Sequence, residues 1–171
     1  MVRRAFSDEP VTNEELMPLF EAARWAPSAY NEQPWRFMYT QKGTKLWQQL
    51  LDLMIPFNQS WAKNAPVLVV LTSKTFFDRN GKLSHTNSID AGAAWMSLAL
   101  QASLNGVVVH GIGDFDYDKA RTILQISPEF KIEIIIAIGK PGNKENLPQE
   151  LQLREKPNER KQLDEIVEER L

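Results

Sequence analysis

Two apolar rhythms run through this chain, and prolines and glycines mark where one gives way to the other. Thr12 and Glu15 have the spacing of a capping box. Leu16, Leu19, Phe20 and Ala23 then recur at helical period, predicting a helix from about Asn13 to Arg24 that ends by Pro27. Pro18 sits near the start of that helix, where proline is best tolerated. "WRFMYT" has strand composition, and "GTKLWQQLLDLM" is a second helical pattern that closes before Pro56. "APVLVVLTS" is a run of branched apolar residues, the pattern of a strand covered on both faces. The loop "KTFFDRNGKLSHTN" carries an Asn80-Gly81 turn signal. From Ser88, "SIDAGAAWMSLALQASLNG" reads as a helix apolar almost all round, with Ala91, Gly92, Ala93 and Ala94 at one end and Gly106 as its stop. Such a helix belongs at the centre of a fold or at a subunit interface. "VVVHGIGDFDYDKARTILQI" gives a strand, a glycine loop and a helix capped by Asp116, and "KIEIIIAIGKPG" another buried strand stopped by Pro-Gly. The tail, "NKENLPQELQLREKPNERKQLDEIVEERL", is polar and extended before a final amphipathic turn or two. It has too little apolar content to fold alone and must lie along its own body or a partner.

Composition narrows this picture. A chain of 171 residues, 43% hydrophobic and 25% charged, reads as one globular domain, small enough that pairing adds to its stability. Net charge is −2 with both signs interspersed, so no basic field for nucleic acid is expected. There is no cysteine, hence no disulfide, thiolate metal site or thiol nucleophile. No apolar run approaches the ~20 residues that span a bilayer. A cytoplasmic protein with no membrane partner is expected.

Chemistry is sparse. His85 and His110 lie in different segments with no carboxylate at ligand spacing, so no metal site is expected. No serine occupies a Gly-x-Ser-x-Gly elbow, and a Walker A loop is missing. "GIG" at 111–113 is half of a dinucleotide fingerprint without its third glycine, and reads equally as a tight strand–helix turn. "APSAYNEQPW" brings Ser28, Asn31 and Gln33 together between two prolines. By composition alone this reads as a solvated turn before it reads as a ligand-binding loop.

The wider segment "EAARWAPSAYNEQPWRF" resembles the FMN-dependent nitroreductase family, whose members carry Ala-Pro-Ser-x-x-Asn-x-Gln-Pro-Trp after their first long helix. "RRAFSDEPV", "FNQSWAKNAPVLVV", "HGIGDFDYDKARTIL" and "NERKQLDEIV" resemble further family segments in the same order. The resemblance implies an α+β nitroreductase-like fold with a central mixed or antiparallel sheet flanked by helices. It implies a single domain over 1–171 and an intertwined homodimer packed through the 88–104 helix. An extended C-terminal arm from about 143 to 171 reaches over the partner.

The resemblance also implies FMN as cofactor and NADH or NADPH as co-substrate. Hydride passes through flavin N5 to a small electron-poor acceptor such as a nitroaromatic or quinone. Arg4, Arg160, Arg3 and Lys161 are then phosphate ligands, since arginine matches phosphate as a bidentate donor. Ser28, Asn31, Pro27 and Ala29 serve the cofactor across the dimer interface. Gln33 and Asn58 hold the pyrimidine edge or ribityl chain. Gly113 offers its N–H to N5 with Ile112 against the ring, while Trp25 and Trp35 pack. No catalytic side chain is expected, because positioning and electrostatics suffice.

Two departures stand out. Relatives carry an upstream Arg-x-Ser element where this chain has Met1-Val2-Arg3. Many also carry a lysine three residues after the asparagine, where Trp61 stands here and Lys63 lies two beyond. The first favours a second reading, a flavin-binding dimer without nitroreductase turnover; the second bears on the tuning of the reduced flavin.

Overall fold

The computed structural model describes residues 3–170. Its centre is a four-stranded, wholly antiparallel sheet of β1 (Trp35–Gln41), β2 (Val67–Lys74), β3 (Val108–Ile112) and β4 (Phe130–Gly139), in the spatial order β1-β2-β4-β3. Period-two alternation divides the sheet's side chains between two cores. Val67, Val69, Leu71, Ile136 and Ile138 face a helical layer of α1 (Asn13–Arg24) and α4 (Asn87–Leu104). Leu68, Val70, Ile135 and Ala137 face the opposite layer, built from α2 (Lys45–Asp52), α3 (Pro56–Ala62) and α5 (Tyr117–Leu124). Helices on both faces explain why β2 opens with an unbroken apolar run, Val67 to Leu71, and is buried through Ser73.

Local signals set most boundaries. The capping box is formed: Glu15 N–H donates to Thr12 Oγ1 at 3.3 Å and Thr12 N–H to Glu15 Oε2 at 2.9 Å. α1 runs on through Pro18 and buries Leu16, Leu19 and Ala23. Asp116 caps α5 by accepting from Lys119 N–H at 3.0 Å. α4 ends in a Schellman motif, with Gly106 at φ +70°, its N–H donating to Ser103 O and Val107 N–H to Ala102 O. Pro56 is the difference. It closes the second helical pattern but also opens α3 as its first residue, where its fixed φ suits a helix start and its missing N–H costs nothing.

A β-bulge interrupts the β2–β4 ladder between Leu71 and Thr72 and leaves Glu133 without a ladder partner. Its carboxylate accepts from Ser73 Oγ (2.6 Å) and Ser88 Oγ (2.8 Å), and Lys131 sits 3.1 Å away. This cluster fixes the start of α4 to the sheet.

The tail divides in two. A further helix, α6 (Gln149–Arg154), buries Leu151, and Leu147 is buried just before it, so residues 143–154 cover this chain's own core. Beyond Glu155 the described residues run exposed, with one short turn at Leu163–Glu165. Trp35 packs as expected, but Trp25 does not: it is 74% exposed, bonded to Glu21 and lying under Arg24.

Candidate functional site

Residues near opposite ends of the chain meet in one basic cleft of about 690 Å³, lined by Arg4, His110, Arg154, Lys156, Asn158, Glu159 and Arg160. Glu155 assembles it. The carboxylate is buried and accepts from the backbone N–H of Arg4 (2.7 Å) and Ala5 (3.3 Å), with the Arg4 guanidinium 3.8 Å away. The strand-like pairing of residues 5–7 with 140–142 fixes the same N-terminal segment from the other side, through Ser7 N–H to Lys140 O and Gly142 N–H to Ala5 O. Four basic side chains here meet the carboxylates Glu155 and Glu159, and Arg154 is also paired with Glu150 at 3.1 Å, leaving a surplus of one positive charge. Arg4 Nε is shut from solvent with no acceptor, a donor that an anion in the cleft would satisfy.

His110 forms the floor of that cleft. Its ring packs on Trp61 with centroids 4.4 Å apart, and Nδ1 lies 2.9 Å from the Arg3 carbonyl oxygen. Burial holds its pKa below the ordinary histidine value; Arg4 adds to that effect, while the Arg3 carbonyl and Glu155 oppose it.

The strand that carries His110 ends at Ile112, buried, and Gly113, exposed. A Cβ placed on Gly113 would meet nothing within 4 Å, so this loop stands open. Tyr117 steadies it, its hydroxyl donating to Gly113 O at 3.0 Å with Glu133 O at 3.4 Å. The α2–α3 junction lies alongside: Ile55 N–H donates to Asp114 O and Asp116 N–H to Leu53 O. One turn into α3 is Asn58, 8% exposed, whose amide makes no hydrogen bond among the described residues. Trp61, at the position where a lysine was expected from the resemblance, is a core residue stacked on Phe6 and tilted against His110. Lys63 is the exposed C-cap of α3.

The segment 27–33 forms a separate group. Tyr30 (φ 53°), Asn31 (φ 58°) and Gln33 (φ 48°) all adopt the left-handed region that non-glycine residues avoid. Ties to neighbours hold this loop. Ser28 Oγ accepts from Gln33 N–H at 2.9 Å, and Ala29 N–H donates to the buried Asp90 carboxylate at 3.2 Å. Glu32 accepts from Asp78 N–H, and Arg79 lies 3.6 Å over the Tyr30 ring. Gln33 Nε2 is turned inward onto Asn31 O, while Asn31 and Pro27 are exposed.

The residues expected from the sequence therefore fall into distinct places. Arg4 and Arg160 share the cleft. Arg3 reaches the cleft only through its backbone carbonyl on His110 Nδ1, and Lys161 lies exposed next to Arg160 in sequence; neither lines the cleft. Asn58, Ile112 and Gly113 cluster one step along β3. No hydrogen bond or ring contact among the described residues joins Pro27, Ser28, Ala29, Asn31 or Gln33 to either group. Met1 and Val2, where the upstream element was looked for, lie outside the described residues. His110, Arg154, Lys156, Glu155, Tyr117 and Asp90 were not singled out as site residues from the sequence. Only the basic run around 154–161 and the strand alternation linking His110 to Ile112 hinted at any of them.

Three comparisons place this architecture. A Streptococcus pyogenes serotype M6 protein provisionally named an NAD(P)H nitroreductase is 26% identical over 98% of this chain and 94% of its own length. A Thermus thermophilus NADH dehydrogenase is 26% identical over 81% of this chain and 82% of its own. A crystal structure described as an oxidoreductase containing FMN superposes with a TM-score of 0.94 at 42% identity, over 99% of this chain and 87% of that one. The nitroreductase family model matches residues 1–56 and 43–140. With that match across most of its length, and with the fold just described, the chain belongs to the nitroreductase family.

Proposed function

We propose that this protein is an FMN-dependent oxidoreductase that uses NADH or NADPH to reduce small electron-poor acceptors, nitroaromatics or quinones. The observation that carries the reading is the continuity from the basic cleft to Gly113 along β3. Three residue steps of extended chain carry His110 to Gly113, about 10 Å, a span suited to a ribityl phosphate. The fit is supported at both ends, by the orphaned Arg4 Nε with its surplus of positive charge and by the open loop at Gly113. Arg4, Arg160, Arg154 and Lys156 would hold the phosphate. The unpaired Asn58 amide would take a ribityl or pyrimidine oxygen, and Gly113 N–H would face the ring edge. Bound FMN supplies a two-electron carrier that accepts hydride from the nicotinamide and passes it on. The protein's part is binding, orientation and exclusion of water, with no side-chain acid or base assigned.

We further infer a homodimer, because the 27–33 group has no partner site within its own chain. On α4, Ile89, Met96, Leu100 and Leu104 form an exposed apolar stripe at helical spacing, 54–81% exposed. Leu163, Ile166 and Val167 of the tail are 60–71% exposed. Pairing two copies through α4 would cover the stripe, bring one copy's 27–33 loop to the other's β3 end, and give each tail a surface.

Colour tests the function. Purified protein given FMN should turn yellow, and bleach when NADH or NADPH is added without oxygen. A preparation that takes up no FMN sinks the flavin reading. A yellow protein that never bleaches leaves a flavin-binding dimer without turnover, the reading to which Trp61 in place of lysine lends weight.

A further inference from the structure

We propose that His110 is a proton-linked ligand of the anion held in the basic cleft, taking up a proton at Nε2 as the anion binds. The inference rests on reading the cleft as the FMN phosphate subsite, and it comes from the geometry around the ring. Nδ1 is 2.9 Å from a backbone carbonyl, which only accepts, so Nδ1 keeps its hydrogen. The site that can gain or lose a proton is therefore Nε2. It makes no hydrogen bond among the described residues, and it is not one of the side-chain atoms sealed without a partner. Trp61 fixes the ring plane, and the imidazole lines the cleft with Arg4, Arg154, Lys156 and Arg160.

The charged groups around the ring decide its state. Arg4 and Glu155 act on it directly, from the N-terminal segment and the tail, and Arg154, Lys156, Glu159 and Arg160 share its cleft. Burial, the largest influence, keeps the ring neutral in the free protein at neutral pH. A neutral Nε2 turns a lone pair towards phosphate oxygens, whereas a protonated one donates a charge-assisted bond. Phosphate binding thus raises the histidine's proton affinity, and by linkage protonation raises phosphate affinity. The sign follows. The pKa is low in the free state and higher in the bound state. The extra affinity is therefore complete below the free-state pKa and lost as pH rises through the bound-state one. One charge-assisted bond corresponds to about tenfold in affinity at least.

The test compares FMN dissociation constants for the full-length protein and His110→Asn between pH 6 and 8.5. Asparagine can keep a donor for the Arg3 carbonyl while removing the titrating nitrogen. The phosphate's own ionisation, near pH 6, cancels in the ratio of the two constants. That ratio should stay near one at pH 8.5 and rise steadily towards pH 6, approaching about tenfold only below the free-state pKa. In the unaltered protein the His110 ring resonance should titrate at higher pH once FMN or inorganic phosphate is bound. A ratio flat with pH, or a His110 titration indifferent to bound ligand, overturns the inference. Should FMN fail to bind at any pH while inorganic phosphate still shifts His110, the flavin reading falls and the anion ligand stands. If FMN binds and leaves the ring unmoved, the inference falls and the flavin reading stands; if FMN binds at no pH and phosphate leaves the ring unmoved, both fall. The resonance measurement needs no variant, so a misfolded His110→Asn does not rescue the idea.

Discussion

Replacing Asp90 by alanine should loosen the 27–33 loop far more than it destabilises the fold. Three non-glycine residues in the left-handed region cost about 1 kcal/mol each at the low end, about 3 kcal/mol together. Against this stand the Asp90 carboxylate on Ala29 N–H, about 1.5–3 kcal/mol for a bond to a charged group, and Ser28 Oγ on Gln33 N–H, about 1 kcal/mol. The Arg79 guanidinium over Tyr30 adds about 0.5–1 kcal/mol as an exposed cation–π contact, while the Glu32 bond to Asp78 N–H lies in water, which competes for both groups, and adds nothing to the balance. The latched loop is thus favoured by about 1 kcal/mol, and Asp90 supplies that margin. Without it the remaining ties, about 1.5–2 kcal/mol, fall short of the strain, so the loop relaxes and recovers what it stored. Global stability by urea titration should drop by only about 1 kcal/mol. FMN binding must then latch the loop again, costing about 1–1.5 kcal/mol, or about tenfold in dissociation constant. Hydrogen exchange at Ala29 and Gln33 N–H should accelerate in step, and Asp90→Asn, which keeps an acceptor, should recover part of each effect. Unchanged exchange with unchanged FMN affinity would refute the reasoning. So would a stability loss above about 3 kcal/mol, which would make Asp90 a general support of the fold.

Three further outcomes can be checked. Leu100→Glu places a charge on the exposed stripe of α4, so light scattering should show half the native mass with native circular dichroism; an unchanged mass moves the interface elsewhere. Gly113→Val and Gly111→Ala should part company. The first meets open space in the single chain and should slow anaerobic flavin reduction with little loss of stability. The second sets a methyl 3.3 Å from Ile134 Cδ1 and 3.4 Å from Trp95, and should lower the thermal midpoint while leaving reduction alone. Identical behaviour of the two contradicts the division of labour along β3. In Gly142→Ala the new Cβ falls 2.3 Å from the Phe6 backbone, which cannot yield as a side chain would, so urea titration should show a loss of at least about 1–3 kcal/mol; a smaller loss means that the 5–7 and 140–142 segments separate easily.

What the sequence made legible is what a few neighbouring residues decide. Thr12 with Glu15, Asp116 and Gly106 act through hydrogen bonds that close within one turn, so their residue types announce the helix ends. β2 was legible because helices on both faces leave it no polar side. Pro56 was read only halfway, since a proline that ends one helix and a proline that opens the next look alike in sequence. The α6 helix escaped because one buried side chain, Leu151, anchors it within a charged tail. Tyr30, Asn31 and Gln33 gave no warning of their left-handed backbone, which is imposed by Asp90, Asp78 and Arg79 from elsewhere in the chain.

The candidate site was legible only where a resemblance named its residues, and the reason is topological. Glu155 joins the two ends of the chain through hydrogen bonds to Arg4 and Ala5, so the cleft exists only once the sheet has closed and α6 has docked. His110 becomes part of it because strand alternation turns it to the face of Trp61 and Ile112, and because Arg3 happens to present a carbonyl there. A histidine beside a strand carries no mark of that placement. The same strand then explains why its two glycines differ. Gly111 is small so that Trp95 and Ile134 can close on the sheet, whereas a Cβ on Gly113 would meet open space, so its smallness serves no packing in this chain and, under the proposed function, lets a flavin edge approach the backbone.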